Sequence, residues 1–442
     1  MLKVGYARVD VTPPLGTFLS GYYEPRYAER ILDPIELVAL ALGDGEETSL
    51  IITADFLGMK NEYADAYRKK VSARTGVSED HIMISCLHQH TSICLRIAPN
   101  NNVMEDADYL NLLERKFCDV AQMAIADMSE ATFGVAQRET ARELSFVRRY
   151  FMKDGTLKTN PGGEKYVGQI VGPAEKSDNN VRLIRFQREG KRDIAFVNFS
   201  THPDVIGGSN FSADWPGFVR RFVEKDIENT CCMLLNGCQG DTNHINFMLP
   251  TVEERFPKGM RYLHSEYMGR TIADTVIELW DKTTPMESCK IGGAITTVYN
   301  KTRTEGEEFF DECWDMYERR ALKGDMSLTH TASGIEKAEC YRIVEIRTVE
   351  PLYQKVRVTA LRLGDVVFVG FGGEPFTNYA TAVRELFPDK FIIASCCANG
   401  YQNYLPTKLA FEQGGYEVVS TPFTSDLEED CVAAAKELIE KI

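Results

Sequence analysis

At 442 residues, 44% of them hydrophobic and 26% charged, the chain has the make-up of a globular protein and is too long for one small core. Its 50 Lys+Arg against 65 Asp+Glu give a formal net charge of −15, which argues against nucleic acid or an anionic membrane surface as the main partner. No run approaches the ~20 apolar residues of a membrane-crossing helix, and the start MLKVGYARVDVTPP has no signal-peptide apolar core, so a cytoplasmic chain without a transmembrane segment is expected.

Val4–Gly21 reads as a strand, a Pro-Pro-Leu-Gly turn and a Gly-rich loop. A ββαβ unit predicted three times follows. In the first copy Glu36–Leu42 and Ser49–Ala54 are strands joined by a Gly-Asp-Gly turn; Asp55, a helix near Glu62–Arg74 and the apolar run Ile82–Thr91 come next. Ala131–Tyr166 carries a basic patch, Phe146-Val147-Arg148-Arg149-Tyr150, whose arginines are expected to face solvent unless a site claims them. The second copy is Val181–Gln187, Asp193–Phe199, His202, a helix with Asp214 as N-cap and Pro216 in its first turn, Cys231–Asn236 and the loop Gly237–Asp241. Glu305–Arg320 is predicted as an amphipathic helix. The third copy is Val356–Leu363, Val366–Phe371, Glu374, a helix near Asn378–Phe387, Phe391–Ser395 and the loop ending at Tyr404; Leu427–Ile442 reads as a closing helix.

These elements predict an α/β fold of mixed β-sheets packed together with flanking helices, built from repeated ββαβ units and forming a single large domain over 1–442. Asp55, His202 and Glu374 occupy one type of corner, and His88/His90, Asp241 and Tyr404 the other, so the corners are expected to share a crevice at strand carboxyl ends. The twelve cysteines are scattered, with two adjacent pairs and no CxxC, so buried free thiols are expected.

His88-Gln89-His90 closes the apolar run Ile82–Thr91. On a strand, residues two apart lie roughly 6.5 Å apart and point the same way, which would turn both imidazoles into one pocket. That suits a metal site, and it also fits two ordinary surface histidines; the pattern alone leaves both readings open. His202 and Glu374 supply a further imidazole and a carboxylate, the donors of a catalytic zinc. His244 reads as packing rather than a ligand, and His81, His264 and His330 as surface or core residues.

At these residues the chain resembles the neutral ceramidase family, zinc-dependent amidases that cleave the N-acyl bond of ceramide. Gly5–Gly16 is similar to the family's opening segment, His88-Gln89-His90 to its HTH motif, Asn198–Pro203 to its NFSTHP-type strand end, and Gly237–Asn246 to its Gly-Asp loop. Ala398–Tyr404 and Gly415-Tyr416-Glu417 resemble its C-terminal tyrosine segments. The resemblance implies Zn2+ held by His88, His202, Glu374 and Tyr404. It implies catalytic roles for His90 as proton carrier and for Arg148 and Tyr416 as hydrogen-bond donors to the reacting carbonyl, with Arg149 the alternative to Arg148. It also implies a lipid amide substrate and a place in sphingolipid metabolism, where the bare metal chemistry would serve any small amide or ester or, without turnover, zinc binding alone.

Three departures qualify the substrate. Asn243, the remaining catalytic candidate, stands where the family commonly has serine after Gly-Asp-x, leaving Thr242 as a neighbouring hydroxyl. The family's immunoglobulin-like domain and an export signal are not expected in this chain. Oligomeric state is left open.

Overall fold

The computed structural model describes residues 1–96, 106–349 and 353–442. The first part of the chain supplies β1 (Lys3–Asp10), β2 (Glu36–Gly43), β3 (Thr48–Ala54), α1 (Asn61–Thr75), β4 (Ile82–Cys86), α2 (Ala107–Ala126) and β5 (Ser129–Glu139). Then come β6 (Asn180–Arg188), β7 (Asp193–Phe199), α3 (Asp214–Asp226), β8 (Thr230–Asn236) and α4 (Tyr262–Leu279). The strands form a sheet of order β8-β7-β6-β5-β1-β2-β3-β4, with Thr284–Pro285 added on β5. A second sheet, β9 (Ile291–Lys301), β10 (Tyr353–Leu363), β11 (Val366–Phe371) and β12 (Phe391–Ser395), has that same order. Between β9 and β10 lie α5 (Phe310–Tyr317) and α6 (Lys337–Val349); α7 (Thr377–Leu386) joins β11 to β12, and α8 (Leu427–Lys441) closes the chain.

Strand alternation explains the layering. Leu37, Ala39 and Ala41 of β2 face a core shared with Tyr67 and Val71 of α1 and Phe117 and Val120 of α2, while Val38, Leu40 and Leu42 face the opposite way. On that opposite side they meet Ile51, Met83, Phe196 and Met233 of the large sheet and Leu361, Phe368 and Ile393 of the small one. The small sheet turns Val358, Val367 and Val369 outward against α7 and α8, and α3 and α4 cover the β6–β8 half of the large sheet. The result is helices, sheet, sheet, helices. Sheets buried on both faces account for the continuous apolar runs of the strands, and each fully buried Leu, Ile or Phe contributes roughly 1.5–3 kcal/mol.

All three predicted units exist. β2/β3, β6/β7 and β10/β11 are antiparallel hairpins, and β3/β4, β7/β8 and β11/β12 are parallel pairs across a helix. Their carboxyl ends are stitched together: Asn399 N–H donates to Ile84 O (2.7 Å), Cys86 N–H to Cys397 O (3.2 Å) and Cys396 N–H to Asn236 O (3.3 Å). All twelve cysteines are free thiols, as expected, and no helix among the described residues is long and apolar enough to cross a membrane.

Four local expectations are corrected. His88 and His90 lie beyond the end of β4, and His88 takes a left-handed φ of 75°, so a loop rather than the pleat turns the two imidazoles toward each other. Asp214 is the first residue of α3 rather than its N-cap, because its Oδ2 accepts from the N–H groups of Val205 and Ile206 and ties the loop after His202 to the helix. The Glu305–Arg320 helix begins two residues later, as a 3-10 turn over Glu307–Phe309, and only α5 is regular before a wider turn over Glu318–Leu322. Arg148 and Arg149 are buried, not solvent-facing.

Asp55 leaves the shared crevice for a structural task. Its oxygens bind the buried Arg220 guanidinium at 2.6 and 2.9 Å, accept from Gln89 Nε2 at 3.0 Å and take the Glu36 N–H at 3.0 Å, which fixes the loop between His88 and His90. Removing one partner of a buried pair strands the other charge, at roughly 3–5 kcal/mol. Asp55→Ala should therefore lower the denaturant midpoint by a stability loss of that size; an unchanged unfolding curve would show that the pair carries no such weight.

Candidate functional site

Where the three units meet, His88, His202 and Glu374 face one buried point. Glu374 Oε2 lies 3.2 Å from His88 Nε2 and 3.1 Å from His202 Nε2, and all three side chains are at most 2% exposed. His90 Nε2 approaches His88 Nε2 at 3.3 Å, so the ligating nitrogens of the three imidazoles fall within 4.8 Å of one another. A buried group of three histidines can hold a metal ion, and the carboxylate oxygen sits closer to two of them than they sit to His90.

The backbone sets which nitrogen points inward. His88 Nδ1 lies 2.8 Å from Leu57 O and His202 Nδ1 2.9 Å from Gln239 O. Each Nδ1–H is spent on a carbonyl, which leaves the Nε2 lone pair for the centre, the outer arrangement typical of metal-bound histidine. His202 Nε2 and Glu374 Oε2 have no hydrogen-bond partner of their own, and orphaned buried polar atoms of this chemistry fit a divalent cation.

Charge follows from the same packing. Burial works against a proton on His88, yet the Glu374 carboxylate beside it outweighs burial and raises the imidazole's pKa. Burial would raise Glu374; His88 and His202 instead hold it well below the usual carboxylate range. Burial and the Arg148 charge push His202 down to about 3, and burial with the neighbouring His88 takes His90 well below its ordinary value. The Glu374 carboxylate thus favours a proton on His88, while burial disfavours one on His90 and His202.

The remaining predicted residues divide. Tyr404 pairs in register with Glu374 in a two-residue parallel ladder and lies beside His202, their rings 6.4 Å apart. Of the two arginines, Arg148 is the one beside Tyr404. Its guanidinium lies 5.1 Å over the Tyr404 ring, with Nε donating to Glu417 Oε1 at 2.7 Å and Nη2 to Gly240 O at 2.9 Å. Arg149 donates to Gly414 O at 2.7 Å instead. Tyr416 packs edge-on to Tyr404, and its hydroxyl is 3.1 Å from that of Tyr23. Asn243 stands apart: it hydrogen-bonds Asn160 and the Ile245 N–H and does not line the cleft, while the Thr242 hydroxyl is spent on Gln239 O. Asp241 also leaves the crevice, since its Oδ1 accepts from the N–H and hydroxyl of Thr377 at the start of α7. His244 and His264 pack as buried rings 5.5 Å apart, as expected of core residues.

Sequence reasoning missed Tyr401, whose hydroxyl donates to Glu374 Oε1 at 3.0 Å, and Asp204, 3.7 Å from His90 Nδ1 and hydrogen-bonded to Tyr22. Tyr401 precedes Tyr404 by three residues in the same loop, a signal that was readable. Arg26, which donates to His90 O at 2.7 Å from far up the chain, left none. The centre opens into a cavity of about 190 Å³ walled by Tyr23, Tyr401 and Tyr416 and roofed by residues of α5 and α6.

An α/β sandwich of paired sheets with a buried histidine-carboxylate cluster at strand carboxyl ends is thus the class of protein defined here. Among solved structures the chain is similar to neutral ceramidase from Pseudomonas aeruginosa, with a TM-score of 0.69 and 14% identity over 99% of this chain and 75% of that one. A ceramidase complexed with C2 matches with the same score and identity over 99% of this chain and 76% of the other. No protein-family model and no curated protein sequence matches. The chain has the fold of these ceramidases.

The Glu374 carboxylate favours a proton on His88 that ligation must displace, so divalent cation uptake should release protons, and affinity should fall as pH drops through the raised His88 pKa. Calorimetry in two buffers of unlike ionisation enthalpy measures this; uptake without proton release would remove His88 from the ligand set.

Proposed function

We propose that this chain is a zinc-dependent hydrolase that applies ceramidase-like machinery to an N-acyl amide smaller and more polar than ceramide. The observation that carries the reading is the meeting of His88 Nε2, His202 Nε2 and Glu374 Oε2 at one buried point, two imidazoles and a carboxylate of the kind catalytic zinc takes. Tyr404 is the fourth donor, beside the same carboxylate. Zinc held there supplies Lewis acidity, polarising an amide carbonyl and bringing the pKa of a water to about 7.

The protein groups divide the remaining work. His90, neutral and at hydrogen-bond distance from His88, accepts the proton released from the attacking water and returns it to the leaving amine. Asp204 Oδ1, 3.7 Å from its Nδ1, supplies the counter-charge once His90 has taken the proton. Arg148 stays charged and holds Tyr404 in place through its stacked guanidinium, with Glu417 as counter-charge. The Tyr416 and Tyr23 hydroxyls are the donors available where negative charge develops on the carbonyl oxygen. Asn243, away from the cleft, supports the Gly-Asp loop rather than the reaction.

Cavity size and lining favour the small substrate. Sites for drug-sized ligands run from roughly 300 to 1,000 Å³, whereas this one is about 190 Å³ and includes Arg96, Arg342 and Glu345. A long acyl chain would need more room than this, and it would meet the charged Arg96, Arg342 and Glu345 among the aromatic walls.

Purified protein should hold about one zinc per chain, and His202→Ala should lose it; a variant that keeps its metal would break the proposed ligand set. On a panel running from short N-acyl amides to N-acylsphingosine, hydrolysis should concentrate on the short polar members. Cleavage of N-acylsphingosine alone would restore the lipid reading, and silence across the panel with zinc retained would leave a metal-binding protein without turnover.

A further inference from the structure

We infer that the cleft selects substrates bearing a carboxylate, held by Arg96 and Arg342, which line the same cavity as the histidines. The inference rests on the hydrolase reading and names the substrate class for that same site.

Arg342 belongs to α6, and its side chain is only 1% exposed. Its Nε donates to Val419 O at 3.0 Å, and its Nη2 to Glu305 O at 2.9 Å and to Glu339 Oε1 at 3.2 Å. The third nitrogen, Nη1, is buried and has no partner among the described residues, although the residue lines the cavity. A buried guanidinium N–H without an acceptor is unfavourable, and a ligand oxygen in the cavity would relieve it. Arg96 lines the same cavity; its Nε is also buried without an acceptor, and among the described residues no carboxylate lies within ion-pair distance of it.

The charge count fixes the ligand. Glu345, the carboxylate that lines the cavity beside them, is 3.6 Å from Lys60 Nζ and so has its own counter-charge. Glu339 likewise answers Arg342. One positive charge, that of Arg96, is left over, together with the buried, unpartnered Nη1 of Arg342. A planar monoanion matches this set, and guanidinium forks bind carboxylates with charge-assisted hydrogen bonds. The cavity volume admits a small acyl group, an amide and a carboxylate within one short molecule.

The test separates recognition from turnover. Levulinate is the uncleavable ketone counterpart of N-acetylglycine, and levulinamide its neutral partner. Calorimetry on the metal-loaded protein should show levulinate binding at least about tenfold more tightly than levulinamide. Arg96→Gln should remove most of that preference. Arg342→Lys, which keeps the charge in the roof but loses the fork, should reduce it while the thermal melt stays close to that of the parent protein. Equal binding of the two probes, no levulinate binding, or a preference unchanged in both variants overturns the inference. Turnover is read on N-acetylglycine and N-acetylglycinamide. Equal kcat/KM on the two overturns the carboxylate site and leaves the hydrolase reading intact. Selective levulinate binding with neither amide cleaved does the reverse.

Discussion

One buried carboxylate, Glu374, organises the cleft. A carboxylate with no exposure is unfavourable by several kcal/mol unless it is paired, and here the pairing comes from His88 and His202, two imidazoles brought in by different sheet units. The arrangement holds because each ring is already fixed from behind by a carbonyl, Leu57 O or Gln239 O, and because Tyr401 occupies the carboxylate's other oxygen. Neither ring can turn away without giving up a buried hydrogen bond.

The triplicated ββαβ unit explains why these residues meet. Each unit delivers one polar residue after its hairpin and another after its crossover, and the stitched strand ends of β4, β8 and β12 carry both sets to one place. The three units then diverge in use. His202 and Glu374 stay at the centre, while the matching Asp55 turns to Arg220 and holds the Gln89 loop. Among the crossover residues, His88, His90 and Tyr404 reach the cleft, while Asp241 anchors the start of α7. Ahead of the third unit, between β9 and β10, comes the insertion of α5 and α6, whose small core of Cys313, Met316, Cys340 and Val344 is separate from the sandwich and roofs the cavity.

Much of this was legible in the sequence because strands buried on both faces must be continuous apolar runs, and hairpin turns mark where they reverse. Asp193–Phe199, Val366–Phe371 and Phe391–Ser395 are read to the residue for that reason. The same signal is faint in β5 and β9, whose residues are largely only partly buried, so Ser129–Glu139 and Ile291–Lys301 carry no apolar run to find. The candidate donors were legible from residue type, but which polar residue stays at the centre was not: Asp55 and Glu374 hold equivalent places, and only the distant Arg220 takes one of them away. Likewise, nothing around Arg148 and Arg149 shows that both are buried, because their partners, Glu417 and the carbonyl of Gly414, come from more than two hundred residues downstream. The strand reading of His88-Gln89-His90 reached the right cluster by a wrong geometry, since the left-handed His88 is a demand of the tertiary packing.

The most direct measurement is anomalous diffraction at the zinc edge from crystals grown with zinc. A single peak about 2.0–2.2 Å from His88 Nε2, His202 Nε2 and Glu374 Oε2 is the result this account predicts. A peak elsewhere, or none at that point, would contradict it.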